Sequence, residues 1–185
     1  IERLIYYAGW CDKFQQLYST VNPVASSHFN FSAPEPTGVV SIIAPQNNSL
    51  IGLVSVIAPI IAGGNTCVVL ASASKPLCAV TFAEVLGTSD VPGGTINILT
   101  GKPGELLSWF SDHMDVNAIV FCENDKEAIL KIQQKATLNL KRVLLWNNYN
   151  WLLETAQNPY LINDAQEIKT TWHPIENIGG AKAGY

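Results

Sequence analysis

Charged residues are scarce in this sequence, and the basic ones are scattered. Only 14% of the 185 residues are charged, and 11 basic residues against 15 acidic ones give a net charge of −4. No stretch concentrates Lys and Arg into the basic patch with which proteins neutralise nucleic-acid phosphates. The sequence therefore predicts no nucleic-acid partner.

Cysteine is also sparse, and its spacing does not suit a metal. The four cysteines form no C-x-x-C pair and have no histidine at metal-ligand spacing. We therefore predict no metal site. Cys11, Cys67, Cys78 and Cys122 are interpreted as reduced thiols, most of them buried.

The sequence lacks a long hydrophobic run and a targeting leader. The longest apolar stretch, residues 50–62, is shorter than the ~20 residues that a membrane span needs, and it contains Pro59. It is predicted to be a buried helix, and no membrane partner is expected. No basic-then-apolar leader with a cleavage site is found at the start. This absence predicts a cytoplasmic protein or an internal fragment of one.

Apolar residues, by contrast, are abundant, and from residue 38 onward they alternate between strand and helix patterns. The hydrophobic fraction is 48%, and the strand-like runs lack polar alternation, which is typical of strands buried on both faces. Strand–helix–strand order gives parallel neighbours with right-handed connections. We therefore predict an α/β fold, a Rossmann-like doubly wound parallel sheet of about five strands with flanking helices. The strands are predicted at 39–43, 66–70, 95–99, 118–121 and 142–146, and the helices at 49–62, 76–86, 103–110 and 125–138, the last with Asp125 as its N-cap.

Three segments are expected along the chain. Residues 1–37 contain a helix over 2–18 and a Pro- and Ser-rich extended arm that is not predicted to be a sheet strand. Residues 38–150 form the sheet core. Residues 151–185 are expected to add one more helix, around Trp151 to Ala156, and a flexible tail at 179–185.

Six short blocks occur in an informative order and spacing. They are YYAGW at 6–10, EPTGV at 35–39, APQN at 44–47, PIIAGGN at 59–65, PL at 76–77 and PGGTINILTG at 92–101. Over residues 1 to about 150 these blocks resemble the NAD(P)-binding half of the aldehyde dehydrogenase superfamily. The resemblance implies a role in the NAD(P)-dependent oxidation of aldehydes to carboxylic acids.

The loop after the first core strand contains the candidate catalytic residue. In the family this loop has an asparagine between two aromatic residues and two prolines, and the asparagine amide helps to hold the oxyanion of the intermediate. Asn47 occupies that position, but Gln46, Asn48 and Ser49 replace its flanking aromatics and proline. Two other interpretations remain open: that Asn48 or Ser49 caps the following helix, and that Asn47 is an inherited relic.

The positions that contact the cofactor in the family have lost the matching residues. A lysine after the second strand and a glutamate three residues later, which contact the adenosine ribose, are replaced by Ala71 and Ser74. Two glycines after the fourth strand are replaced by Glu123 and Ala128, and Asp125 adds a second acid there. A Cβ at a former glycine blocks close approach, and the acidic charge opposes pyrophosphate. None of these positions is a confident cofactor ligand, so no cofactor is expected.

The catalytic groups are missing too. The family's nucleophilic cysteine belongs to a separate catalytic domain, and none of the four cysteines here stands at its position. Trp146, Asn147 and Asn148 stand where the family has its general-base glutamate. A preserved scaffold with lost chemistry most resembles the degenerate second module of the family-16 aldehyde dehydrogenases.

We therefore expect a non-catalytic module with a structural or interaction role. The expected partner is a preceding dehydrogenase module, a second copy of the chain, or both, contacted through the arm at 29–34. In the alternative, the chain is part of an active NAD(P)-dependent aldehyde dehydrogenase, with Asn47 assisting and NAD(P) as the cofactor. Whether the chain serves an enzyme is left open at this stage.

Overall fold

The computed structural model describes residues 1–175, so the predicted tail at 179–185 lies outside the described residues. The α-helices are α1 (Glu2–Cys11), α2 (Phe14–Tyr18), α3 (Ile51–Ala62), α4 (Leu77–Gly87), α5 (Pro103–Asp112), α6 (Lys126–Ala136) and α7 (Tyr160–Asp164). The strands are β1 (Thr20–Asn22), β2 (His28–Pro36), β3 (Val39–Ile43), β4 (Thr66–Leu70), β5 (Ile96–Leu99), β6 (Ala118–Phe121), β7 (Arg142–Leu145) and β8 (Gln166–Pro174). None of these helices is long and apolar enough to cross a bilayer.

The larger sheet is parallel, with the strand order β5-β4-β3-β6-β7. The chain runs outward from β3 through β4 to β5, and then returns to the other side of β3 as β6 and β7. This reversal makes the sheet doubly wound, and its switch point lies between β3 and β6. The predicted fold class is therefore confirmed.

Helices cover both faces of this sheet, as the uninterrupted apolar strands require. Ile42 packs with Leu53 and Ile57 of α3 on one face. Its neighbour Ile43 packs on the other face, in the cluster that includes Phe110 of α5. Because successive side chains of a strand point to opposite faces, a strand buried on both sides must be apolar at every position, or must bond its polar groups.

The N-terminal arm forms part of a second, antiparallel sheet with the order β1-β2-β8, so the prediction that it would not be a sheet strand is wrong. The strand β2 pairs along its whole length with β8. Pro34 and Pro36 argued against a strand, but they lie beyond β1, which pairs only with residues 30–32. A strand with one neighbour tolerates proline far better than one paired on both sides.

The two terminal helix predictions are also corrected. The helix predicted around Trp151 to Ala156 is wrong: only a single 3-10 turn forms, at Glu154–Ala156, and the short α7 and the strand β8 follow it. Trp151 and Ala156 are nevertheless buried in the core of the large sheet, so their apolar character reflects packing of an irregular segment. The single helix predicted over residues 2–18 is divided into α1 and α2.

Candidate functional site

The loops at the carboxyl ends of β3, β4 and β6 are tied together by one residue, Gln46. Its backbone N–H donates to Glu123 Oε1 at 2.7 Å, and its side-chain Oε1 accepts the N–H of Ala73 at 2.8 Å. Its carbonyl accepts the Ser72 hydroxyl at 2.7 Å, and its Nε2 donates to the carbonyl of Ala44 at 2.9 Å. Because the Glu123 contact joins the loops after β3 and β6, a carboxylate of the chain itself spans the switch point.

Asn47 follows Gln46 on an exposed bend and lines a cleft of about 910 Å³. Within residues 1–175 its side chain makes no hydrogen bond to the protein. The interpretation that Asn48 or Ser49 caps α3 is wrong, because the helix begins at Ile51 with Leu50 as an N-cap that makes no side-chain bond. Asn48 accepts the N–H of Gly52 with its backbone carbonyl instead, at 2.7 Å.

Asp125 caps α6, as predicted. Its carboxylate accepts the N–H groups of Glu127 at 3.0 Å and Ala128 at 3.1 Å. Free N–H groups in the first turn of a helix are the usual anchor of a phosphate in α/β folds. Here a side chain of the protein already binds two of them.

A family model described as the aldehyde dehydrogenase family matches residues 1–148. The chain belongs to the aldehyde dehydrogenase family. The match covers the whole of the large sheet. The loops at the ends of its strands contain the replacements described above, such as Gln46 and Glu123.

Named relatives of the chain include dehydrogenases of this family. It is 34% identical over 145 residues to the cytosolic aldehyde dehydrogenase 1 of Elephantulus edwardii, covering 78% of this chain and 28% of that protein. It is 34% identical over 146 residues to the cytosolic 10-formyltetrahydrofolate dehydrogenase of Homo sapiens, covering 78% of this chain and 16% of that protein. The NAD+ complex of an aldehyde dehydrogenase from Bacillus cereus has a TM-score of 0.69 and 26% identity over 76% of this chain and 28% of the other. The chain thus spans less than a third of each of these proteins.

Four residues stand at the positions where the resemblance to this family implies cofactor contacts. Ala71 is completely buried, and Ser74 shares a hydrogen bond with the Ser72 hydroxyl at 3.2 Å. Glu123 is bonded to Gln46 across the switch point. Ala128 donates its N–H to Asp125. Ser74, Glu123 and Ala128 thus each make a hydrogen bond within the chain.

The four cysteines of this family member have free thiols, two buried, one half-buried and one exposed. Burial raises the pKa of Cys67 to about 12. Burial, together with the neighbouring Glu123, also raises the pKa of Cys122 well above its ordinary value. A thiol with a raised pKa is protonated at neutral pH and is a poor nucleophile. Residues 1–175 also contain no group of three His, Cys, Asp or Glu side chains placed to hold a metal.

Sequence reasoning found both acids at the switch point and the cap that Asp125 forms, but it missed the contact of Glu123 with Gln46. Asp125 was identified as a cap from its place before a periodic apolar pattern. The Glu123 contact needs the loops after β3 and β6 to meet, and no local pattern encodes that. Gln46, recognised only as a replaced aromatic, is the residue on which the loops converge.

Proposed function

We propose that this chain is a non-catalytic aldehyde dehydrogenase-like domain that acts as a structural or interaction module of a larger protein. The observation that carries the proposal is the occupation of donors at the switch point by the chain's own carboxylates, Glu123 on Gln46 and Asp125 on the first turn of α6. A preserved scaffold with altered strand-end loops is what the degenerate second module of the family-16 enzymes would have. Cytosolic relatives support a cytoplasmic location.

The electrostatics of the site support this proposal. A pyrophosphate at the switch point would have to displace Glu123 and Asp125 from their N–H partners and would then lie beside two negative charges. Like charges about 4 Å apart repel by about 1 kcal/mol in water and by more in a partly buried site. The lost hydrogen bonds add to this cost.

Titration with NAD+ and NADP+ tests the proposal. The unmodified chain should show no saturable binding up to about 1 mM, which corresponds to roughly −4 kcal/mol. A variant with Ala71→Lys, Ser74→Glu, Glu123→Gly and Ala128→Gly, which restores the family's residues, should bind more tightly because it removes the obstructing groups and adds ribose contacts. Isothermal titration calorimetry measures both. A dissociation constant below about 1 mM for the unmodified chain would overturn the proposal.

The alternative is a part in an active NAD(P)-dependent aldehyde dehydrogenase, with the nucleophile in another part of the protein. The exposed amide of Asn47 favours it, because that amide lines an open cleft and is not consumed by the protein. An oxyanion donor has to be available in this way. NAD(P) binding by the chain, together with aldehyde oxidation by the whole protein that falls when Asn47 is changed to Ala, would favour this alternative.

An interaction module also needs an interface, and the outer edge of β8 is the one we propose. In the small sheet β2 lies between β1 and β8. The nine-residue β8 therefore lies at one edge of this sheet. Eight of its residues are exposed, including Ile168 and Trp172. Long exposed edges with apolar side chains are templates for another strand.

Light scattering after gel filtration tests this interface. The chain should elute above its monomer mass, and Trp172→Lys should shift it towards the monomer by adding charge beside the edge. Leu138→Lys is the matched control, since Leu138 is also exposed but lies on the 3-10 turn after α6. A stable monomer, both alone and beside the preceding module, would count against the interaction role.

A further inference from the structure

A cleft of about 910 Å³ opens beside the start of α3. Its walls come from the beginning of α1, residues 47–50, α4 and residues 152–157. The wall is largely apolar, with Leu4, Val54, Phe82 and Val85 facing the space. Both the volume and the apolar lining are within the usual range for a small-molecule site.

Arg3 places a buried positive charge in this wall. Its side chain lines the cleft and is only 7% exposed. Nη2 donates to the carbonyls of Trp151 at 3.0 Å and Leu153 at 2.5 Å, whereas Nη1 is buried and has no hydrogen-bond partner within residues 1–175.

No carboxylate of the described chain compensates this charge. The ion pairs within residues 1–175 do not include Arg3. Glu2 and Glu154 also line the cleft, but both are exposed, and neither pairs with the guanidinium. A buried cation with an unused donor is costly unless an anion reaches it.

The N-terminus of α3 adds a second source of positive potential to the same cleft. This helix has 12 residues, its N-cap Leu50 makes no side-chain bond, and its first turn contains no acid. Leu50 and Ile51 both line the cleft. The positive end of the helix dipole is thus not neutralised by the residues of its own first turn.

We propose that this cleft binds an organic monocarboxylate with an apolar tail. The carboxylate accepts the N–H donors of Arg3 Nη1, which the contacts of Nη2 with the Trp151 and Leu153 carbonyls leave unused, close to the start of α3. The tail lies along Leu4, Val54, Phe82 and Val85. A monoanion suits the site better than a dianionic phosphate. The site offers one guanidinium, Arg3, and the two acids at its rim, Glu2 and Glu154, would repel a second negative charge. Asn47 and Asn48, from the loop after β3, also line this cleft, so the site adjoins the switch point, but the proposal rests on Arg3 and not on cofactor binding.

Titration of the chain with octanoate, 1-octanol and acetate tests the proposal. Octanoate should bind at least about tenfold more tightly than either of the others, because octanol lacks the charge and acetate lacks the tail. The proposal would be overturned if either 1-octanol or acetate bound as tightly as octanoate.

Two pairs of variants locate the ligand. Arg3→Met should weaken octanoate binding by at least about tenfold, while the charge-matched Lys75→Met, at an exposed site outside the cleft, should not. Val85→Glu should abolish binding by placing a carboxylate on the exposed tail wall, while Leu130→Glu, on the exposed side of α6, should not.

Because Arg3 also supports two carbonyls, its variant can fail to fold. In that case Val85→Glu decides, since Val85 is exposed and supports nothing in the core. Octanoate affinity that is unchanged in Val85→Glu, or in a folded Arg3→Met, would overturn the proposal.

Discussion

Replacing Gly38 with alanine should lower the free energy of unfolding by about 3 kcal/mol. Gly38 lies just before β3 and has a φ of +125°, a conformation that residues with a Cβ rarely adopt. An added Cβ would lie 2.4 Å from Asn117 Oδ1. That oxygen cannot move freely, because it accepts the N–H of Val39 at 2.9 Å and so holds the start of β3 beside β6.

Two costs therefore add in the Gly38→Ala variant. Strained backbone contributes about 1–3 kcal/mol, and loss of the hydrogen bond from the Val39 N–H to Asn117 contributes about 1 kcal/mol. Urea denaturation measures the sum. Gly93→Ala is the matched control, because Gly93 has no atom within 4 Å of an added Cβ and no positive φ. Its stability should change by less than about 1 kcal/mol, and equal stability of the two variants would contradict the explanation.

The large sheet was predictable because each of its strands is marked locally. Residues 39–43 and 66–70 are apolar except for Ser41 and Thr66, and both are strands with those bounds. The small sheet was not predictable in the same way. The arm's partner, β8, lies at the other end of the described chain, and the two prolines of β2 argue against a strand unless its neighbours are known.

The same distinction separates the parts of the candidate site. Asp125 was found from sequence, because a cap contacts residues two and three positions away. The bridge from Glu123 to Gln46 and the contacts of Arg3 with Trp151 and Leu153 join residues that are remote in the chain. In sequence, Arg3 is an ordinary residue of an amphipathic helix. Its unused donor becomes visible only when the segment after β7 is placed against α1.

Binding of a cofactor at the switch point and binding of an acid in the cleft therefore depend on different groups of the chain. At the switch point, the chain's own carboxylates occupy donors that an anion would need. In the cleft, Nη1 of Arg3 is a buried donor with no acceptor within residues 1–175. Under the proposed function, the lack of a cofactor at the switch point would leave this donor available to a small acid.

A chain that ends at Ala165, and so lacks β8, should lose about 4 kcal/mol or more of stability and should form larger assemblies than the full chain does. Each cross-strand pair contributes about 0.2–1 kcal/mol, and β8 pairs with all nine residues of β2. The truncation also removes the Gln166 side chain, which donates to the carbonyl of Gly63 at 2.9 Å. It further removes the carbonyl of Gln166 and the carboxylate of Glu167 from Arg142.

Association follows because β2 would then expose a long row of unpaired backbone groups along the edge that β8 covers. Urea denaturation measures the loss of stability, and light scattering measures the mass. A chain that ends at Ile175 is the matched control, since it keeps β8 and every contact described for residues 1–175. The stability and mass of the chain that ends at Ala165 are compared with those of this control. If both truncations behave like the full chain, β8 does not protect the arm, and the small sheet contributes nothing to the stability of the fold.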